Sequence, residues 1–383
     1  MDYAAATPLD PRVLKAMLPY LQTEYGNPSS LHHKGASARK AVEAARKSVA
    51  TVLGAGSEEV IFTAGGTESC NLAILGAAQA ARKGHIVTTA IEHHAVLDPI
   101  KQLIKQGWKV TVLKVNKEGL VNPGDVQKAL RKDTVLVSVM YANNEIGTIQ
   151  PIAEIGKLLG RENQARAKRK GVPVLFHTDA SSACSSLDIN VNKLGVDLLT
   201  ASSSKFYGPK GAGFLYVRKG TALNAIIHGG GQEKNLRSGT ENVSGIVGLA
   251  SALVLAEQHK HPENLRLSKL QAYVFKEVLS RVKNVMVNGT VEPNKRLANN
   301  LNFTIPGIEG EALMLYLDAS GICVSTGSAC ATGSTDASHV LLAIGRSSAQ
   351  AKQSIRVSLG KDTSMDDIKY FLKALYEKIQ LLK

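Results

Sequence analysis

Two ionisable residues, Asp179 and Lys205, stand at the ends of apolar, β-rich runs. Asp179 closes Val174-Leu175-Phe176-His177-Thr178, which puts a carboxylate at the edge of a core, where a charge needs a partner. Lys205 sits within Ser202-Ser203-Ser204-Lys205-Phe206-Tyr207-Gly208-Pro209-Lys210-Gly211. A lysine amid hydroxyls and a rigid turn suits a Schiff base, because its amine reacts only when neutral and positioned. A single lysine is ordinarily a solvated surface charge. An Asp and a Lys each closing a strand of one sheet suggest instead a clamp for pyridoxal phosphate, carboxylate on the ring nitrogen and amine on the aldehyde.

Other strand ends could share that site, since open parallel sheets hold ligands outside the carboxyl ends of their strands. Gly65-Gly66-Thr67 follows the run of residues 59–63 and opens a helical pattern. Its N–H groups and the Thr67 hydroxyl could face a phosphate, although a plain strand-to-helix turn also accounts for the triplet. His93 falls just past residues 85–89, where an imidazole could stack on a flat ring, shuttle protons, or merely begin a helix. Asn143-Asn144-Glu145 ends the next strand, where amides bond a ligand oxygen or cap the following segment.

Cys330 lies in Ser325-Thr326-Gly327-Ser328-Ala329-Cys330-Ala331-Thr332-Gly333-Ser334, a run of small polar residues expected to form an exposed loop. A thiolate there could act as a nucleophile. Cys70, Cys184 and Cys323 have apolar or helical surroundings and are expected in the core. Arg356, in Ser354-Ile355-Arg356-Val357-Ser358, could clamp a carboxylate or be a paired structural arginine.

These residues need a frame. Asp10-Pro11 reads as a helix start, a carboxylate cap followed by a proline at the first helical position. Apolar runs at residues 59–63, 85–89, 109–115, 134–140, 172–178 and 196–201 are separated by helical patterns such as 38–53 and 96–106. Such alternation predicts an α/β fold, a mostly parallel central sheet covered by helices. Past Gly239 the pattern changes to a helix at 243–257, a second helix, β-like runs at 284–288 and 301–305, and a last helix from Met365. We expect a large unit of residues 15–245 and a smaller α+β unit of 1–14 and 246–383 that carries the Cys330 loop, since 383 residues exceed one ordinary core.

Apolar residues at 44% and charged residues at 20% fit a globular chain, and four cysteines without C-x-x-C spacing exclude a disulfide framework. No metal-ligand spacing is present, so no metal site is expected. The net charge of +14 is mostly scattered, with Arg161, Arg166, Lys168, Arg169 and Lys170 crowded together. No nucleic-acid motif accompanies them, and direct nucleic-acid binding is not expected. The longest weakly polar run, 243–256, is too short to span a bilayer, and nothing resembles a signal peptide, so a cytoplasmic protein away from membranes is expected.

Taken together the motifs resemble the cysteine desulfurases, fold-type-I pyridoxal phosphate enzymes of the class-V aminotransferase type that supply sulfur for iron–sulfur clusters and tRNA thiolation. The likeness covers Ala4-Ala5-Ala6-Thr7-Pro8, Tyr25-Gly26-Asn27-Pro28-Ser29-Ser30, residues 62–68, Glu92-His93, 143–147, 177–180, 205–211, 229–240, the cysteine loop and 354–360. It implies that Lys205, Cys330 and His93 are catalytic: Lys205 holds the cofactor and moves the Cα proton, His93 stacks on the ring, and Cys330 takes the substrate sulfur as a persulfide. It implies Asp179 on the ring nitrogen, a phosphate held by Gly66, Thr67, Ser202, Ser204 and the neighbouring subunit's copy of Thr240, and further cofactor contacts from Asn144 and Ser182. Asn27, Asn144 and Arg356 are implied to bind L-cysteine, in a homodimer that serves a sulfur-acceptor or iron–sulfur scaffold protein. The Ser-x-Gly-Ser-Ala-Cys form resembles the long-loop subgroup. The chain departs from the pattern at Ser204, where a histidine is usual, and at Ser182, where a glutamine reaches the cofactor's ring oxygen and a serine is too short. Selenocysteine lyase activity, or a weakly active protein acting mainly by binding a sulfur acceptor, remain alternatives at this level.

Overall fold

The computed structural model describes residues 1–326 and 337–383, so Cys330 and most of its small polar run lie outside the described residues. Ten strands are described: β1 Val60–Thr63, β2 His85–Thr89, β3 Lys109–Leu113, β4 Thr134–Ser138, β5 Leu175–Asp179, β6 Leu198–Ser202, β7 Gly213–Val217, β8 Met286–Val287, β9 Asn300–Thr304 and β10 Ser354–Ser358. The helices in the first half are α1 Pro11–Gln22, α2 His33–Leu53, α3 Gly66–Ala81, α4 His94–Lys105, α5 Pro123–Ala129 and α6 Ile152–Lys168. They are followed by α7 Val191–Leu194, α8 Val243–Arg281, α9 Gly310–Asp318, α10 His339–Ala343, α11 Ser348–Lys352 and α12 Met365–Leu381.

Seven strands form the central sheet in the order β1-β7-β6-β5-β4-β2-β3. The pairs among β6, β5, β4, β2 and β3 are parallel, whereas β7 runs antiparallel to both β1 and β6. The expected mostly parallel sheet is thus present, with one antiparallel strand that the sequence pattern does not single out. Strands β2 and β4 are buried along their whole length, as a sheet covered on both faces requires. Both β5 and β6 end one residue beyond the apolar pattern, so Asp179 itself closes β5.

Of four buried apolar clusters among the described residues, two frame the site. The first joins α1, α2 and the sheet through residues such as Val13, Val49, Phe62, Phe176 and Phe214. The second packs β9 and β10 against α9 and α12 through Phe303, Ile355, Leu313 and Phe371. Helix α8 serves both: Leu249 and Leu253 lie in the first core, Leu270 and Val274 in the second. The two helices expected after residue 243 are one helix of 39 residues with Pro262 inside it. Proline removes one backbone hydrogen bond, and burial at both ends of the helix outweighs that loss.

Candidate active site

The site assembles at the carboxyl ends of the sheet strands. After β1, Gly65 takes a φ of +150°, and α3 begins at the next residue. The backbones here are close: a Cβ on Gly213 of β7 would come 2.6 Å from the Gly65 Cα. A Cβ on Gly66 would fall 3.1 Å from Ser181 Oγ and 3.3 Å from Ser202 Cβ. Glycine therefore leaves room in front of the first turn of a 16-residue helix, whose leading N–H groups have no partner within the helix. Around that space stand Thr67, Ser181, Ser202 and Ser204, with Ser202 Oγ and Ser204 Oγ 3.2 Å apart. Such a ring of donors at a helix N-terminus fits a phosphate group.

Asp179 ends β5, Lys205 follows the adjacent β6, and both line the same cleft of about 260 Å³. Asp179 is buried, and one carboxylate oxygen accepts the Ser181 N–H at 2.9 Å. Its neighbour His177 is held below its ordinary pKa by burial, with its ring nitrogens on Ser138 Oγ (2.9 Å) and Thr200 Oγ1 (3.0 Å). A neutral His177 leaves the carboxylate of Asp179 for a cationic ring nitrogen. Lys205 follows β6 in a tight turn, and its Nζ donates to the carbonyls of Ala4 (2.9 Å) and Ala5 (2.6 Å). His93 caps α4, its Nδ1 accepting the Ala95 N–H at 3.0 Å, so the proton of the neutral ring sits on Nε2. The residues present thus match pyridoxal phosphate group by group, with a cradle for phosphate, a carboxylate for the ring nitrogen and an amine for the aldehyde.

From the second core, β10 sends Arg356 into the cleft. Its Nη2 pairs with Asp2 at 2.8 Å, its Nη1 donates to the Asn144 carbonyl at 3.2 Å, and its buried Nε has no partner among the described residues. Asn144 and Ser182 also line the cleft. Two acids whose part the sequence does not reveal join them. Glu92 accepts from Thr89 Oγ1 (2.7 Å) and the Met140 N–H (2.9 Å), while its buried Oε2 has no partner among the described residues, and burial pushes its pKa up to about 8. Glu145 accepts from Ser338 Oγ at 2.5 Å, and burial pushes it up to about 7. Their places next to His93 and Asn144 are the only local signal that could have marked them.

Two of the expected site residues lie off their own chain's cleft, and one expectation, a buried Cys323, needs correction. Asn27 is exposed and away from its own chain's cleft, its Oδ1 taken by the Ser29 N–H at 2.9 Å. Thr240 is likewise exposed and off that cleft. Cys323 is exposed rather than in the core, its thiol facing Asp318 at 3.6 Å, while Cys70 and Cys184 are buried as expected. Within the basic stretch Arg166 is structural: it is buried and donates to the carbonyls of Thr134, Val172 and Arg131. Among the described residues no group of acids, histidines and cysteines is arranged to hold a metal.

Comparison with known proteins agrees with this geometry. The aminotransferase class-V family pattern matches residues 1–371. A cysteine desulfurase IscS of Dictyoglomus turgidum is 49% identical over 385 residues, covering 100% of this chain and 95% of that relative. Among solved structures, a NifS-like protein superposes with a TM-score of 0.91 at 37% identity, covering 99% of this chain and 98% of its own. SspA in complex with cysteine superposes with a TM-score of 0.79 at 36% identity, covering 94% and 97%. The chain belongs to the aminotransferase class-V family of pyridoxal phosphate-dependent enzymes. Within it, the chain belongs to the cysteine desulfurases.

Proposed function

We propose that this chain takes sulfur from L-cysteine, releases L-alanine, and holds the sulfur as a persulfide on Cys330 for iron–sulfur cluster assembly or tRNA thiolation. The observation that carries this reading is the convergence of Lys205, Asp179 and His93 on one cleft with Arg356 entering from the second core. Pyridoxal phosphate, when bound, supplies the electron sink that lets Cα lose its proton. Lys205 anchors the cofactor and then moves the proton at Cα; His93 covers the ring, with its tautomer set by Ala95. Asp179 pairs with the ring nitrogen, and Gly66, Thr67, Ser202 and Ser204 hold the phosphate. Asn144 and Arg356 fix the substrate carboxylate. The Cys330 thiolate attacks the substrate Sγ, so an S–S bond forms as Cβ–Sγ breaks, and the electron pair left on carbon is protonated to give alanine.

The large unit, residues 15–245, carries the cofactor cradle, and the small unit, 1–14 and 246–383, carries Arg356 and Cys330. We read the working form as a homodimer in which Thr240 completes the partner's phosphate site. Its outward position supports this, as do Tyr25 and Leu31, 77% and 93% exposed beside Asn27. The sulfur passes to an acceptor or scaffold protein in the cytoplasm, a compartment that suits the free thiols Cys70, Cys184 and Cys323. No described helix is long and apolar enough to cross a membrane.

The test is to incubate the purified protein with pyridoxal phosphate, L-cysteine and a thiol reductant, and to assay alanine and sulfide. Wild type should form both, Lys205→Ala neither, and Cys330→Ala should bind cysteine without releasing sulfur. A wild type that holds a yellow cofactor and makes no alanine would overturn the assignment.

A further inference from the structure

Arg356 sits in the middle of β10 with its side chain 2% exposed, and a cation so deep is costly unless it is paired. Among the described residues its one ion-pair partner is Asp2. Glu145 is near enough to feel the guanidinium, but its raised pKa makes it a weak counter-ion around neutrality. A guanidinium holds five N–H groups in a rigid fork, so fixing one corner decides where the others point. Here Asp2 takes one corner, the Asn144 carbonyl takes another, and Nε stays buried with no partner among the described residues.

Asp2 is itself held in place. Its backbone bridges to Ser358, two positions past Arg356 on the same strand. The Ser358 N–H donates to the Met1 carbonyl at 2.9 Å, and Ser358 Oγ accepts the Ala4 N–H at 2.9 Å. The next carbonyls, those of Ala4 and Ala5, receive Lys205 Nζ. One short segment, residues 2–5, therefore touches both side chains that must act together on one substrate.

We propose that Asp2 is a positioning residue: it balances and orients the Arg356 guanidinium so that the N–H donors left open, Nε among them, meet the substrate carboxylate. The proposal rests on the reading of Arg356 as the carboxylate clamp. Asp2 does not touch the substrate. Its single-oxygen contact to Nη2 leaves the other donors for a second carboxylate.

The experiment uses the full chain loaded with pyridoxal phosphate. Asp2→Asn is expected to raise KM for L-cysteine about tenfold and to lower kcat by much less. Asp2→Glu, which keeps the charge, should recover part of that loss. Binding of cysteamine, which has no carboxylate, followed by cofactor absorbance, should be the same in Asp2→Asn as in wild type. An unchanged or lowered KM overturns the proposal, and so does a parallel loss of cysteamine binding, which marks general damage. Failure of Asp2→Asn to take up cofactor also overturns it, because a residue that only orients Arg356 is not needed for loading. Arg356→Lys in parallel separates the two readings. If it leaves KM unchanged, the clamp assignment fails; if it raises KM while Asp2→Asn does not, the role of Asp2 alone fails.

Discussion

Glu92 carries a carboxyl into the interior beside the cleft, and its two oxygens fare differently. Oε1 has two donors, whereas Oε2 has no partner among the described residues, which suits a protonated acid with its hydrogen on Oε2. Burial is the largest cause of its raised pKa, from 4.5 to about 8. Below pH 4.5 the group is protonated folded or unfolded; above that only the unfolded chain ionises it, so its contribution to stability is lost as pH rises through about 8. Glu92→Gln keeps an acceptor for both donors and cannot ionise. We expect wild type, relative to this variant, to lose stability by a few kcal/mol between those two pH values, measured as Tm against pH for both proteins. Parallel curves would show that Glu92 is already ionised in the folded protein.

At the scale of elements, the phosphate cradle depends on how closely β7 approaches the start of α3. The atom that a Cβ on Gly213 would meet is backbone, the Gly65 Cα at 2.6 Å, so no side chain can swing aside to make room. Gly213→Ala should therefore displace the first turn of α3. We expect a stability loss of about 1–3 kcal/mol in urea unfolding and a cofactor affinity about tenfold weaker by absorbance titration. A variant that loses stability but keeps its affinity would place the phosphate elsewhere. Helix boundaries near this cradle follow local chemistry: Pro11 follows the Asp10 cap of α1, and His93 caps α4 with its own ring.

For the whole molecule, the positions of Thr240 and Asn27 matter most, since neither reaches the cleft of its own chain. If a second copy's Thr240 completes each phosphate site, two crippled proteins should rescue one another. In a mixed dimer of Lys205→Ala and Thr240→Asp chains, one site carries both substitutions and the other neither. Co-expressed chains should regain alanine production that neither homodimer shows, read on dimers isolated with two different tags. No recovery in a verified mixed dimer would mean that Thr240 acts within its own chain or not at all.

The amino-acid sequence by itself determined the alternation of strands and helices, the helix caps, and the strand ends where Asp179, Lys205, Gly66 and His93 would stand. These are local properties: burial periodicity, capping groups and turn residues act over a few positions, and in a parallel sheet the strand ends meet at one edge. Other features were decided only by tertiary structure. The antiparallel β7, the continuity of α8 through Pro262 and the exposure of Cys323 depend on which surfaces pack together. The pairing of Asp2 with Arg356 joins residues 354 positions apart, and the acidity of Glu92 and Glu145 depends on how deeply other segments bury them. Neither a distant partner nor a loss of water leaves any mark in the neighbouring sequence, because both arise only when the chain closes around them.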